Sequence, residues 1–340
     1  MNRELLKKLC SINGTSGDEG RIRDFIISEI SGYCDHTVDP LGNIIAVKKG
    51  AKPAKNKVMV SAHMDEVGMI VTSVKSDGTL TLSEVGGVDP RVAVGRPVRI
   101  GDNDIAGVIG AKAVHNLSDD EKKTAPKFSS LYADIGAADR EAAEKLVRPG
   151  DRIHFASEYT EFGDGFVMGK AVDDRFGCMV MIEMIKSELQ YDCIFTFVVQ
   201  EEVGLRGSRT AAYTVDPDFA LVLETTTAAD IPLASGEKRC CELGKGAVVS
   251  YMDRSTIYDR ELYELSRRIA ADNNILWQTK TMVAGGNDSG AIHISRGGVR
   301  TAAISLPCRY LHSPACTAKL SDGENCEKLA FAMLEKMCTL

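Results

Sequence analysis

The stretch CIFTFVVQEEVG, residues 193–204, decides how the chain is read. Phe195 to Val199 is apolar and β-prone, the pattern of a buried strand. It ends in two adjacent carboxylates, Glu201 and Glu202, with Gly204 just behind. Neighbouring like charges repel and resist desolvation. Alone, such a pair is ordinarily a solvated strand end. Here the pattern recurs. VMVSA (58–62) runs into His63-Met64-Asp65-Glu66, FALVL (219–223) into Glu224, and TAAISLPCRYL (301–311) into His312-Ser313-Pro314. Asp173-Asp174 precedes a helical stripe of Phe176, Met179, Val180, Ile182, Ile185 and Leu189. Strands alternate with helical patterns such as RELYELSRRIAADNN (260–274), which predicts an α/β sheet covered by helices. Such sheets bind ligands at the carboxyl ends of their strands, so these polar residues are expected to converge.

Outward from that core the texture changes. From about residue 70 to 165, turn signals SDG, GDND and GDGF separate short β-prone runs such as TLTLSEV, PVRIG and DRIHF. This predicts a small β-rich, barrel-like module at 70–165 inserted into a catalytic domain formed by 1–69 and 166–340. One short helix is expected near 137–147, and the charged NLSDDEKKTAPK (116–127) reads as a loop. Near the start, Ser16-Gly17-Asp18-Glu19 fits a capping box before a helix.

Composition narrows the function. The 340 residues are 44% hydrophobic and 26% charged, enough to bury a core of about two domains. A net charge of -7 and the lack of a basic run argue against nucleic acid as a partner. No apolar stretch suggests a secretory signal or a membrane span. Ten cysteines without CxxC pairs fit reduced thiols in a cytoplasm.

The convergent set offers two histidines and several carboxylates, donors that suit Zn, Co or Mn. Each signal has an ordinary alternative: HxD as a surface pair, DD as a helix cap, HSP as a turn. Together at strand ends they point to a pair of divalent cations, which makes clustered carboxylates favourable and activates water. Side chains alternate along a strand, so one glutamate of the EE pair can hold metal while its neighbour moves a proton. A serine nucleophile is disfavoured, because GGNDSG (285–290) lacks the helix signal of a nucleophile elbow. That stretch reads as a tight loop, with Asp288 a substrate-contact candidate. His115, in the β-rich module, is a second candidate. His36, His154 and His293 read as partly buried or surface residues.

The motifs SAHMDEVG, GKAVDDRFG, QEEVGLRGS, LETTTAADIP, GGNDSGAIH and RYLHSP occur in the order seen in metallopeptidase family 42. The chain resembles these tetrahedral, glutamyl or deblocking aminopeptidases over almost its whole length; some homologues are labelled cellulase M. The resemblance implies that His63, Asp173 and Glu224 hold one metal and that Asp173, Glu202 and His312 hold the other. Glu201 would be the general base and Asp65 would orient His63. Many members carry aspartate where this chain has Glu224. A cis peptide is implied at Asp173–Asp174. The inserted module would drive homo-oligomerisation, to a dodecamer built from dimers, and the substrates would be short peptides. Two other readings compete: an endoglucanase-like glycan hydrolase, and a non-catalytic assembly protein of the same fold. Adjacent Glu201 and Glu202 cannot flank a sugar bond from opposite sides, and a complete ligand set argues against the second.

Overall fold

The computed structural model of the chain describes residues 1–232, 234, 236 and 239–340. A hairpin of β1 (Asp35–Val38) and β2 (Ile44–Lys48) leads to β3 (Val58–His63), buried along its whole length. Six strands then close a barrel: β4 (Gly68–Val74), β5 (Leu80–Val85), β6 (Pro97–Ile100), β7 (Ile105–Gly110), β8 (Tyr132–Asp134) and β9 (Arg152–Phe155). The chain returns to the large sheet with β10 (Thr160–Phe162), β11 (Phe166–Gly169), β12 (Cys193–Val198) and β13 (Phe219–Thr227). It is completed by β14 (Ala247–Val249), β15 (Trp277–Thr279), β16 (Arg300–Arg309) and β17 (Cys316–Lys319).

The sheet is mixed, in the order β1-β2-β12-β3-β13-β16-β17-β11-β10, with β14 and β15 attached to β16. At its centre β12, β3, β13 and β16 run parallel, so their carboxyl ends share one edge. Register sharpens this. His63 lies opposite Val198, and Ser61 opposite Val222, which sets Glu224 at the level of His63. Two residues either side of the centre thus reach the edge together.

Alternation along β3 explains the layers. Val58, Val60 and Ala62 join the main core on one face, where the helix Val172–Lys186 packs. Met59 joins a second cluster with Ala212, Val215 and Ile292 on the other face, under the helix Arg206–Val215. A strand buried on both faces reads as a continuous apolar run, as VMV and FTFVV do. Phe195 and Phe197 are fully buried, and truncating either to alanine is worth about 3–5 kcal/mol. The barrel has its own core, including Met69, Leu80, Ile100 and Ile153. No helix among the described residues is long and apolar enough to cross a membrane.

Local expectations changed in three places. Ser16 does not cap a helix: the helix Gly20–Ile30 has Glu19 at its N-cap, without a side-chain cap bond, and Ser16 is drawn away to Asp65. The helix expected near 137–147 is shorter, Arg140–Glu144, capped by Asp139. A four-residue helix, Ser289–Ile292, follows GGND where a loop alone was expected.

Candidate active site

The edge shared by the parallel strands gathers the polar residues. His63 ends β3, and its Nε2 lies 3.2 Å from Asp173 Oδ1 and 3.4 Å from Glu224 Oε1. His312, beyond β16, places its Nε2 3.5 Å from Asp173 Oδ2 and 3.4 Å from Glu202 Oε2. Asp173 therefore presents one oxygen to each imidazole. The other nitrogen of each ring has an acceptor: His63 Nδ1 is 3.1 Å from the Asp65 carbonyl and His312 Nδ1 is 3.2 Å from that of Gly87. These bonds orient both Nε2 atoms into the cluster.

Asp65 builds the corner after β12. Its Oδ1 accepts the Glu201 N–H at 3.0 Å, and its Oδ2 accepts the Glu202 N–H at 3.2 Å and the Ser16 hydroxyl at 2.6 Å. The backbone turns through left-handed φ at Gln200 (56°) and Leu205 (56°), with Gly204 at 116°. The glycine is needed at that last angle, which L side chains rarely adopt. Ala171 and His312 are also left-handed, at 55° and 57°, and the Asp173–Asp174 peptide is cis.

The cluster has more carboxylates than cations can balance. Burial pushes Glu202 and Glu224 up to about 8, with Asp173 adding repulsion in each case. Burial also lifts Glu201 and Asp174 well above the carboxylate range. Asp173 goes the other way: burial opposes its ionisation, but the bonds from His312 and His63 outweigh it. Burial disfavours the charged form of His312 too, yet Asp173 and Glu202 hold it up to about 10. The cluster thus recruits protons to neutralise itself. A divalent cation does the same with less competition. The donors suit one: single ligand atoms of His63, Asp173 and Glu202 lie within 4.8 Å of one another, as do those of His63, Asp174 and Glu224. All border a cleft of about 990 Å³ except Asp174, which sits below.

The family model for the M42 glutamyl aminopeptidases matches residues 42–329. This chain belongs to that family. Membership makes it a metal-dependent aminopeptidase by descent. Among its relatives is the lysyl aminopeptidase of Pyrococcus furiosus, 35% identical over 98% of this chain and 97% of that protein. The glutamyl aminopeptidase of Lactococcus lactis is 31% identical, over 98% and 96%. A solved structure, the Pyrococcus horikoshii TET1 peptidase, superposes with a TM-score of 0.86 at 36% identity, covering 97% of this chain and 98% of that one.

Within this M42 chain the named candidates fall in different places. His63, Asp173, Glu201, Glu202, Glu224 and His312 line the cleft, and Asp65 lies beneath them. Asp288 is fully buried next to the lining residue Asn287, and neither of its oxygens has a hydrogen-bond partner among the described residues. His115 is exposed on a 3₁₀ turn and does not line the cleft. His154 is fully buried, between Thr15 and Asp18.

A neighbouring charge cluster lies outside the expected site residues. Glu66 Oε1 accepts from Lys170 Nζ at 2.6 Å and from the Gly14 N–H at 2.9 Å, with Arg175 Nη2 at 3.8 Å. Arg175 donates to the carbonyls of Met64 at 2.8 Å and Ile12 at 3.0 Å. These bonds lash the N-terminal segment to both flanks of Asp173. The available signal was charged residues inside apolar surroundings, KAVDDRF, which buried charges require to be paired.

Proposed function

We propose that the chain is a dinuclear metal-dependent aminopeptidase that removes N-terminal residues from peptides. The observation carrying this reading is Asp173, whose two oxygens face different histidines, each histidine also approached by its own glutamate. His63, Asp173 and Glu224 would hold one divalent cation, and Asp173, Glu202 and His312 the other, as Zn, Co or Mn. When bound, the cations supply Lewis acidity, polarising the scissile carbonyl and acidifying a water.

The chain's own residues do the rest. Asp65 orients His63 and, through two N–H bonds, fixes the Glu201-Glu202 corner. Past the left-handed residue Gln200 the pair lies in a turn, where Glu202 approaches His312 and Glu201 would stay free of the cations. Glu201 takes the proton from the attacking water at a carboxylate oxygen and returns it to the departing amine nitrogen. Its burial supports this, since burial raises the carboxyl above its usual range and so makes it a stronger base than a solvated glutamate. Glu202 and Glu224, or Asp288 from below, supply negative charge toward the substrate's free amine.

The reading extends to assembly and location. The TET1 peptidase of P. horikoshii is described as assembling into a tetrahedron or a large octahedral shell. By analogy the barrel would mediate homo-oligomerisation here, toward a dodecamer of 36.8 kDa chains. Ten free cysteines support a reducing, cytoplasmic setting.

A scan of aminoacyl p-nitroanilides against added Zn, Co and Mn, after dialysis with a strong chelator, tests the reading. Hydrolysis should vanish with the metal and return with at least one of the three. Full activity in a sample shown to be metal-free ends it. Light scattering at physiological salt should report several hundred kilodaltons; a fully active monomer refutes the assembly.

A further inference from the structure

A second cavity, of about 640 Å³, lies at the amino end of β12 and shares no lining residue with the cleft. Two cysteines line it. Cys193 opens β12, and Cys338 is the C-cap of the helix Leu320–Met337. Although 145 positions apart, their Sγ atoms lie 3.6 Å from each other. Both backbones are anchored: Cys193 pairs with Lys48 of β2, and the Cys338 carbonyl accepts the Lys55 N–H at 3.0 Å. A sulfur–sulfur bond is about 2.05 Å long, so about 1.5 Å of approach, shared by two side chains, would join them. No other cysteine lines this cavity. Burial ordinarily keeps a thiol inert. Here the cavity gives the pair a route to solvent, and its lining favours a small uncharged reagent: Glu188, Glu327 and Glu335 face a single lysine, Lys328.

We propose that Cys193 and Cys338 form a redox-modification site, oxidised by a peroxide to a reversible disulfide. Nothing in this step needs a bound cation or a peptide. The contact with the Cys193 thiol holds Cys338 below its usual range against burial, and the same contact raises Cys193. Cys338 is therefore the attacking thiolate. Its sulfur attacks one oxygen of hydrogen peroxide and the O–O bond breaks. The departing hydroxide takes up the proton that Cys338 released, forming water, and Cys338 becomes a sulfenic acid. The Cys193 sulfur then attacks the Cys338 sulfur. The S–O bond breaks, and the hydroxyl leaves with the Cys193 proton as a second water. The two thiols lose two electrons and the peroxide gains them. The product staples the end of the helix to β12 and, by closing a long loop, restricts the unfolded chain.

Equimolar hydrogen peroxide added to the reduced full chain tests this. After alkylation of the remaining thiols, peptide mapping without reductant should find Cys193 joined to Cys338 ahead of any other pair. The denaturation midpoint should rise with the cross-link, return with dithiothreitol, and stay unmoved in Cys338→Ser. In Cys193→Ser, dimedone should label Cys338 as the sulfenic acid, because the resolving thiol is gone. Alkylated Cys193 and Cys338 in a chain whose other thiols have been oxidised overturns the site. A cross-link that leaves the midpoint unmoved overturns the staple. Dimedone on Cys193 in Cys338→Ser, but not on Cys338 in Cys193→Ser, overturns the order of attack. If a serine variant fails to fold, the wild-type map and midpoint decide the site and the staple on their own.

Discussion

Two buried charge clusters sit side by side in this protein, and they solve opposite problems. Around Glu66 there is one carboxylate for two cations, Lys170 and Arg175, and backbone carbonyls take up the remaining donors. Burial alone would raise the Glu66 carboxyl, yet Lys170 and Arg175 hold it below its usual range. That cluster is complete. Around Asp173 the balance is inverted: Asp65, Asp174, Glu201, Glu202 and Glu224 surround two imidazoles, and burial drives most of those carboxyls upward. Desolvated charge without a partner is costly, so a cluster left this way is built for a partner from outside. The difference separates a brace from a site without appeal to any relative.

Breaking the second cluster should have the largest effect. Glu201→Gln keeps the shape and the ligands, so it should retain metal while kcat falls by about 10²–10⁴. Metal analysis beside steady-state kinetics checks this, and a Glu201→Gln protein depleted of metal would reverse the roles of the two glutamates. Glu202→Gln and His312→Ala should each lose about half the bound metal, since each removes a donor from the same side of Asp173. Breaking the first cluster should cost stability instead. Lys170→Met leaves Glu66 with Arg175 at 3.8 Å, and denaturant unfolding should show a loss of about 3–5 kcal/mol. Metal per folded chain should not change; if it did, the brace would be part of the site.

A smaller effect belongs to Glu19, whose Oε1 accepts the N–H of Gly17 at 2.7 Å and of Gln200 at 3.2 Å. Burial lifts this carboxyl from 4.5 to about 7, against those bonds. A carboxyl raised in the folded state stabilises fully below its unfolded pKa and loses that contribution as pH climbs through its folded one. Wild-type stability should therefore fall between pH 5 and pH 8 more than that of Glu19→Gln. Denaturation midpoints at the two pH values measure this, and equal slopes would remove Glu19 from the account.

Local signals account for what the sequence made legible. An apolar run with a polar tip is visible within a dozen residues, and the rule that ligands gather at strand ends joins the four tips. Ser16 shows the limit. S-x-x-E satisfies the capping pattern, yet Asp65, 49 residues away, competes for the hydroxyl and wins at 2.6 Å. Glu66 and Lys170 are 104 positions apart and share no periodicity, so only folding shows them paired. Asp174 was hidden by its neighbour: two identical residues gave no reason to send one toward both histidines and the other under Glu224. Asp288 is close in sequence to the glycines that line the cleft, but the short helix beginning at Ser289 turns it inward.

The left-handed residues at the strand exits have a practical consequence. Ala171 and Gln200 hold φ of 55° and 56°, and a side chain there costs roughly 1–2 kcal/mol that glycine avoids. A directed-evolution campaign that rewarded heat resistance alone would be drawn to glycine at both positions. Yet Ala171 stands two residues before Asp173, and Gln200 immediately before Glu201. Slackening these two posts would give a sturdier protein that aims its acids less well, so such a screen should carry a turnover assay from its first round.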